Sequence, residues 1–446
     1  MTDRKPQASY APGVTPPGLP RKLRCRFLLA AVVNIAAGSA WASGPGDSEP
    51  EKSSKQAVSR VIAVAPGPAD DAHLTPEQRL GKQLFEDTSL SEPRGEACAS
   101  CHQPKHAFQG NAGSRIAAVS AGTRAETFGI RNTPTLMYMA YSPPFGFYKD
   151  TDEGKVVLEA KGGQFWDGRA TTLVDQVSGP MLNPLEMNNP SVKAIVAKVK
   201  ASSEADQLKK IYGDGVFEDD ARAMAKIATA IVAFETSPRF APFSSRFDDY
   251  LRGKDELNGL EELGFELFKD KDKGNCIACH AGKAASDDPT DWVFTDFTYD
   301  NIGVPRNSAI PANADPSYSD LGLCRQPGLA TRLPKGVELY SLCGQFKVPT
   351  LRNIAVTGPY FHNGAFESLS DAVKFYASRD TNPENWYPKK SGGAVDKFND
   401  LPAAYKDNVN HDEVPYDRMP GERPRLNDKE IDAIVAFLRT LTDKGF

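Results

Sequence analysis

Two Cys-x-x-Cys-His pentapeptides constrain the fold of this 446-residue chain more than any other feature of its sequence. In each, two thiols are spaced to form thioether bonds to a haem, and the histidine that follows can bind the haem iron. A zinc site is the alternative, but zinc ribbons usually join their Cys-x-x-Cys halves through a short spacer, and these motifs are 178 residues apart. The motifs therefore predict two haem c groups, attached at Cys98, Cys101, Cys276 and Cys279 and ligated by His102 and His280.

The first 42 residues have the features of an export signal. A basic run precedes an apolar stretch at residues 27–37, and small residues follow at the predicted cleavage site. No later stretch reaches the roughly 18 apolar residues of a membrane span. We therefore expect a signal peptide at residues 1–42, a flexible lead-in at residues 43–72, and a periplasmic protein without a membrane span. The net charge of -5 disfavours nucleic acid as a partner.

Helix signals dominate the rest of the chain, and strand-like alternation is weak. Capping residues and apolar periodicity predict helices that begin at Thr75 and Asn427 or cover residues 192–212, 219–236, 254–269 and 370–378. The two haem motifs divide the chain naturally. We therefore predict an all-α fold of two cytochrome-c-like domains with long ordered loops. The N-terminal domain covers residues 73–243 and the C-terminal domain covers residues 244–446.

Two cysteines of the mature chain lie outside the haem motifs, namely Cys324 and Cys343. In an oxidising compartment, two such thiols at this separation favour a structural disulfide. Two unrelated buried thiols are the alternative.

The side chains available as sixth ligands differ between the two haems. No histidine lies between His106 and His280. His106 is too close in sequence to His102 to reach the opposite face, so the first haem is predicted to be open. For the second haem, spacing does not choose among the candidates, which are Met419, His362, His411, Met224 and several tyrosines. A methionine suits electron storage, whereas a tyrosinate stabilises ferric and higher oxidation states.

Several motifs follow one another in a characteristic order. They are FWDGR at residues 165–169, then Gln176, Pro180 and Glu186, VPTLRN at residues 348–353 and GPYFHNG at residues 358–364. In this order they resemble the bacterial dihaem cytochrome c peroxidase and MauG family, over nearly all of residues 75–446. The resemblance implies that Trp166 lies between the haems. It also implies that Gln176, Pro180 and Glu186 belong to the site over the peroxide-binding haem.

The resemblance also distinguishes between branches of the family. Peroxidases of the family usually present an axial Met 14 residues after the position of His362, and this chain has Tyr376 there. They also place a blocking His before the segment at residues 131–135, and this chain has none. Both departures resemble the Tyr-ligated, MauG-like branch. The stretch at residues 379–388 is most similar to MauG-like enzymes associated with methanobactin clusters.

The resemblance implies one further cofactor and one missing residue. The family binds a calcium ion between its haems through an Asn side chain and two backbone carbonyls, which correspond to Asn132, Thr357 and Pro359. MauG has a Trp two residues before its second haem motif that passes holes to its partner. This chain has Gly274 at that position, so its exit route is expected to differ, and Trp292, Trp386 and surface tyrosines are the candidates.

The implied function is a periplasmic dihaem oxidoreductase. It would use hydrogen peroxide, or dioxygen plus electrons, to form a high-valent dihaem state that oxidises a Trp or Tyr side chain of a partner protein. In this mechanism Glu186 shuttles the peroxide proton, Gln176 orients peroxide and Trp166 relays charge. One alternative is a peroxidase that reduces hydrogen peroxide to water with electrons from a small cytochrome or copper protein. The other is a non-catalytic dihaem electron carrier, which needs a sixth ligand on the first haem.

Overall fold

The computed structural model of the chain describes residues 71–152 and 155–446. The predicted signal peptide and residues 43–70 of the predicted lead-in lie outside the described residues. The described part contains ten α-helices, which are α1 (Pro76–Glu86), α2 (Cys98–Cys101), α3 (Leu173–Leu182), α4 (Val192–Lys200), α5 (Ala205–Tyr212), α6 (Asp220–Glu235), α7 (Arg246–Leu251), α8 (Gly259–Lys269), α9 (Leu369–Ser378) and α10 (Asp428–Arg439). Short 3-10 turns and long loops connect them.

Both predicted capping residues begin helices. The Thr75 side chain accepts a hydrogen bond from the backbone N–H of Gln78, and the Gln78 side chain accepts one from the backbone N–H of Thr75. Asn427 and Glu430 form the same reciprocal pair at the start of α10. These bonds satisfy N–H donors that the first helical turn leaves free, so both helices begin where the sequence predicts.

Two predicted helices have different bounds in the structure. The segment 192–212 forms two helices, α4 and α5, rather than one. At the break, the Ser202 hydroxyl donates to the Val199 carbonyl and accepts from the Glu204 backbone N–H, which competes with the helical pattern. The helix predicted at residues 254–269 begins only at Gly259, because the Asn258 side chain caps it there.

The all-α prediction is wrong in detail, because the helix-rich fold also contains two small sheets. Strands β1 (Gly146–Asp152) and β2 (Lys155–Lys161) pair antiparallel, and so do β3 (Tyr299–Asp300) and β4 (Phe346–Lys347). Phe147 and Ala160 on the first pair pack with Tyr299 in one apolar cluster. This tertiary packing supports strands that the sequence alternation is too weak to indicate.

The buried apolar side chains form separate clusters along the chain. The largest cluster contains buried residues from Leu74 to Phe243, and the next contains buried residues from Phe247 to Leu441. This separation falls where the sequence divides the chain, although the two-domain division stays a prediction. A buried ion pair between Asp248 and Arg352 fixes α7 against the loop before α9.

Polar contacts join the first half of the chain to the second. The Tyr138 hydroxyl donates to Asp443 at 2.7 Å, and the backbone N–H of Asn132 donates to the His362 carbonyl at 2.7 Å. Arg131 forms a two-pronged ion pair with Asp320. Within residues 71–152 and 155–446, the helices are too short or too polar to cross a membrane.

Candidate active site

The first haem motif lines a cavity of about 780 Å³. Helix α2 carries Cys98 and Cys101 to its wall, and His102 follows directly. The His102 Nδ1 lies 3.0 Å from the Phe108 carbonyl, which leaves Nε2 available as an iron ligand. Burial lowers the pKa of His102 to about 4, so the ring is neutral at physiological pH. A neutral imidazole oriented by a backbone carbonyl is the form that binds haem iron.

The predicted peroxide-handling residues line this same cavity. Helix α3 presents Gln176 and Pro180, four residues apart and therefore on one face, and Glu186 lies on the loop that follows. The Asn183 side-chain amide donates to Glu186 Oε1 at 2.6 Å and orients the carboxyl group. Burial raises the pKa of Glu186, while Arg169 and Asn183 oppose that rise. The cavity therefore holds a positioned carboxyl group beside an amide.

A second carboxyl group in this cavity was not identified from the sequence. Glu96, two residues before the haem motif, lines the cavity and is only partly buried. Burial, followed by the charge of Glu186, raises the pKa of Glu96 to about 7. In the linear sequence Glu96 is one acid among many, and only the fold places it with Glu186. The cavity wall therefore carries two interacting carboxyl groups, and the pKa of one of them, Glu96, lies near neutral pH.

Trp166 lines the first cavity and also a second cavity, which contains the other haem motif. Its indole N–H donates to the Asn132 carbonyl at 2.8 Å, and its own carbonyl accepts from the Lys347 backbone N–H at 2.8 Å. The first bond ties the indole to a loop of the first half, and the second ties the Trp166 backbone to strand β4 of the second half. The structure thus places Trp166 where a single aromatic ring contacts both sites.

The second haem motif lines a smaller cavity of about 180 Å³, with Cys276 and Cys279 in its wall. The His280 Nδ1 lies 3.1 Å from the Pro349 carbonyl and 3.3 Å from the Phe294 carbonyl. Burial lowers the pKa of His280 to about 4, as it does for His102. The ring is therefore neutral, and its Nε2 is available for iron.

Tyr376, on helix α9, lines the second cavity. Its contacts are ring contacts with Phe361, Phe375 and Tyr416, and Tyr416 stacks on it with the ring centroids 6.3 Å apart. Burial raises the pKa of Tyr376, so loss of its proton there requires a compensating positive charge such as a ferric ion. Tyr416 lines the same cavity and is a second phenol that the sequence did not single out.

Of the other Met and His side chains that the sequence offers as sixth ligands, His362 alone lines the second cavity in the part of the chain that the structure describes. Met419 is 68% exposed and Met224 packs in the core of the first half. His411 is an exposed neighbour of Asp380. His106 is exposed on a 3-10 turn. His362 does line the second cavity, with its ring stacked on Phe346 at 3.5 Å. Its Nε2 is buried without a protein partner among the described residues.

The predicted calcium ligands also lie beside the first cavity. Asn132, Thr357 and Pro359 all line it, and the Asn132 side-chain amide donates to the Pro359 carbonyl at 2.6 Å. The Asn132 Oδ1 accepts from the Gln109 side chain at 3.1 Å. A cation bound here would need the Asn132 amide to turn over, so that Oδ1 and the carbonyl oxygen of Pro359 face the same point. The oxygen donors suit a hard cation.

Cys324 and Cys343 form a disulfide bond in the structure. The bond lies beside a segment of the second half, residues 315–327, that contributes several side chains to the wall of the first cavity. A backbone hydrogen bond from the N–H of Leu323 to the carbonyl of Gln345, at 2.8 Å, holds the same region. The disulfide therefore stabilises part of the wall of the cavity around His102.

A charged network separates the two cavities. The Arg131 guanidinium is paired with Asp320 and lies 2.7 Å from Asp167. The Lys347 ammonium donates to the Gly163 carbonyl at 2.6 Å, and burial lowers its pKa to about 7. Lys347 and Asp320 line both cavities. With a pKa of about 7, Lys347 is only partly charged at neutral pH, so Arg131 is the permanent cation of this network.

The side chains fit covalently bound haem better than zinc. The two thiols of each motif line a separate cavity, together with a histidine whose Nε2 is available. Among the described residues, no group of three or more His, Cys, Asp or Glu side chains is placed to hold a metal ion. Four thiolates around one zinc ion would need the two motifs to meet.

Comparisons with known proteins agree with this geometry. A family model described as di-haem cytochrome c peroxidase matches residues 75–256. The methylamine utilization protein MauG of Paracoccus denitrificans is 37% identical over 393 residues, which are 85% of this chain and 90% of that protein.

Solved structures give a similar result. The crystal structure of the diheme peroxidase BthA from Burkholderia thailandensis is 40% identical, with a TM-score of 0.76 over 85% of this chain and 87% of that chain. A MauG-like protein associated with microbial copper homeostasis is 23% identical, with a TM-score of 0.57 over 87% of this chain and 95% of that chain. That last likeness supports the fold alone.

Proposed function

This chain belongs to the dihaem cytochrome c peroxidase and MauG family, and we propose that it oxidises a Trp or Tyr side chain of a partner protein at the expense of hydrogen peroxide. The family makes it an oxidoreductase. The observation that carries the finer proposal is the position of Tyr376, a phenol that faces the second cavity while Met419 is exposed to solvent. Tyrosinate favours the oxidised states that such a reaction needs.

The two haems, once bound, supply the iron chemistry that cleaves peroxide and stores its oxidising equivalents. The four motif cysteines would attach them, and His102 and His280 would bind their irons. The Phe108 and Pro349 carbonyls hold these two rings in place and fix which nitrogen faces the iron.

Proton movement in the first cavity is assigned to Glu186. Its raised pKa and its bond from Asn183 suit a group that takes a proton from one peroxide oxygen and returns it to the other. Gln176, on the neighbouring face of α3, orients peroxide by hydrogen bonding. Pro180 lines the same wall.

Trp166 is assigned the coupling of the two sites. Its ring lines both cavities, and its hydrogen bonds to Asn132 and Lys347 leave it little freedom to move. An indole is readily oxidised and can pass an electron between groups that do not touch each other. A calcium ion held by Asn132, Thr357 and Pro359 would further stabilise the loop that accepts the Trp166 N–H.

The proposal also covers location and partners. The expected export signal places the enzyme in the periplasm, where it uses hydrogen peroxide, or dioxygen plus electrons, and meets its protein partner. The long-range character of the reaction means that the partner stays outside the haem cavities.

A second candidate function is a dihaem peroxidase that reduces hydrogen peroxide to water. BthA, at 40% identity, is described as a diheme peroxidase, and the first cavity suits peroxide cleavage in either case. Its electrons would come from a small cytochrome or copper protein. The two functions differ in whether a protein side chain is changed covalently.

The electron-carrier alternative depends on a sixth ligand for the first haem. Met139 and Met187 line the first cavity and carry the thioether groups that this alternative requires. Electron paramagnetic resonance of the diferric protein tests this directly. We expect one high-spin and one low-spin haem, with both responding to peroxide without prior reduction. Two low-spin signals that ignore peroxide would contradict the proposal.

A further inference from the structure

We propose that Trp386 is the residue through which oxidising equivalents leave the protein, so that an oxidisable indole or phenol of the partner docks against the face that carries it. This inference rests on the proposed function and adds to it the exit residue. It follows from the contacts of Trp386 with helix α9, which also carries Tyr376.

Gly274 cannot provide the exit without a change of backbone. A Cβ atom built on Gly274 would lie 2.5 Å from the Leu267 carbonyl oxygen, closer than real Cβ atoms approach a backbone oxygen. A large aromatic side chain is therefore excluded at this position in the fold observed. Oxidising equivalents from the second haem site need another route.

A short bonded route joins Tyr376 to Trp386. The Trp386 indole N–H donates to the Ser378 hydroxyl at 3.1 Å. Ser378 lies two residues after Tyr376 on the same helix. The route therefore consists of two residues of backbone and one hydrogen bond.

Aromatic rings fill the space beside this route. Phe375 contacts Tyr376 with ring centroids 6.3 Å apart and contacts Trp386 at 5.8 Å. A second row runs through Phe361 and Phe366, with successive centroids from Tyr376 to Trp386 separated by 5.7, 5.4 and 5.5 Å. Both rows give close aromatic contacts between Tyr376, which lines the second cavity, and the Trp386 indole.

Exposure distinguishes Trp386 from its rivals. Trp292 is 1% exposed and Tyr387 is 3% exposed, so neither can touch a partner. Tyr416 stacks on Tyr376 but is also buried. Trp386 is partly exposed. Among the described tryptophans it alone combines contact with solvent and a connection to helix α9.

The electron balance requires no bond change in Trp386. In each step the partner side chain loses one electron to Trp386, and Trp386 has passed one electron inward. The partner's indole or phenol releases its proton to water. Two such steps consume the oxidising equivalents of one hydrogen peroxide molecule, which leaves as two water molecules after taking up two protons.

The test treats the holoprotein with peroxide in the absence of a partner. Without a partner to return an electron to it, an oxidised indole at the surface accumulates oxygen adducts. Peptide mass spectrometry should find the adduct on Trp386, and electron paramagnetic resonance should detect an aromatic radical. Trp386→Phe preserves the ring contacts and should abolish both signals, while peroxide still bleaches both haems. Tyr340→Phe is the matched control, because Tyr340 is 41% exposed and lies outside this route.

Ferrous cytochrome c serves as a macromolecular electron donor that cannot enter the cavities. We expect Trp386→Phe to lose most of the rate at which the peroxide-treated protein oxidises ferrous cytochrome c. Ser378→Ala removes only the hydrogen bond and should lower that rate less. An unchanged rate in Trp386→Phe, or adducts confined to other residues in the wild type, would overturn the assignment. Failure of peroxide to bleach the haems of the wild type would instead overturn the proposed function.

Discussion

The two cavities that contain a haem motif share the arrangement of their motif histidine and differ in the side chains of the remaining wall. On the proximal side, His102 and His280 are both neutral and oriented by backbone carbonyls. Among its other wall residues, the first cavity, of about 780 Å³, carries Gln176 and Glu186, whereas the second, of about 180 Å³, carries Tyr376. Because both cavities share the same attachment motif, any difference in reactivity between the two haems has to come from the other side chains of the cavity walls.

Under the proposed function, the first cavity would admit hydrogen peroxide and handle its proton, and the second would hold the haem whose iron Tyr376 binds. Neither arrangement alone would serve to oxidise a distant side chain. Trp166, which lines both, makes them parts of one unit.

The largest effect is expected from removing the phenol. Tyr376→Met should confine the response to peroxide to the first haem and abolish oxidation of an external protein, because a thioether stabilises ferrous iron. Optical and electron paramagnetic resonance spectra before and after peroxide measure this. Tyr416→Phe, which keeps Tyr376, should leave the resting low-spin signal in place. Identical spectra for Tyr376→Met and the wild type would exclude Tyr376 as the ligand.

Removing the acid of the first cavity should have the next largest effect. Glu186→Gln should slow peroxide cleavage by roughly 10²–10⁴-fold, because the proton shuttle is lost while the resting spectra stay nearly unchanged. Stopped-flow mixing with peroxide gives the rate. Asn183→Ala, which only releases the carboxyl group, should show a smaller loss. A rate for Glu186→Gln within a few-fold of wild type would argue against the role of Glu186.

Breaking the disulfide tests whether the wall of the first cavity depends on it. The double variant Cys324→Ser with Cys343→Ser opens a loop with a sequence separation of 19, and should cost about 3 kcal/mol in free energy of unfolding. Chemical denaturation followed by circular dichroism measures the loss. Peroxide reactivity should suffer more than the spectrum of the second haem. Equal disturbance of both haems would contradict a local role.

The smallest effect is expected from Glu96, and it depends on pH. The pKa of about 7 means that Glu96 is protonated below neutrality and ionised above it. If it passes protons between solvent and Glu186, the rate at which the oxidised protein returns to rest should fall as the pH rises through about 7. Glu96→Gln should flatten that profile. Glu92→Gln, on the exposed side of the same loop, is the control, and an inflection that survives in Glu96→Gln would exclude this role.

The elements that sequence analysis predicted are those set by local chemistry. The helices that begin at Thr75 and Asn427 depend on capping side chains within a few residues. Helix α6 depends on apolar residues at helical spacing, and its predicted bounds, 219–236, differ by one residue at each end. The two small sheets were missed, because their strands are supported by packing between distant segments.

The candidate site divides in the same way. The haem motifs and the family-matched residues could be located from the sequence, and the structure places them at two cavities. Glu96 and Tyr416 could not be located, because no local pattern separates them from other acids and tyrosines. The choice of Trp386 among the exit candidates needed the three-dimensional contacts, since its hydrogen bond to Ser378 joins a loop to a helix and spacing rules do not predict it.

The wall of the first cavity comes partly from the far half of the chain, through residues 315–327 and 347–350. A fragment ending near residue 243 would keep Cys98, Cys101, His102 and Glu186 but would lose this part of the wall. The first cavity is therefore complete only when both halves of the chain are present. A chimaera that combines the N-terminal half of this chain with the C-terminal half of a relative would need to keep residues 315–327 and 347–350 of this chain.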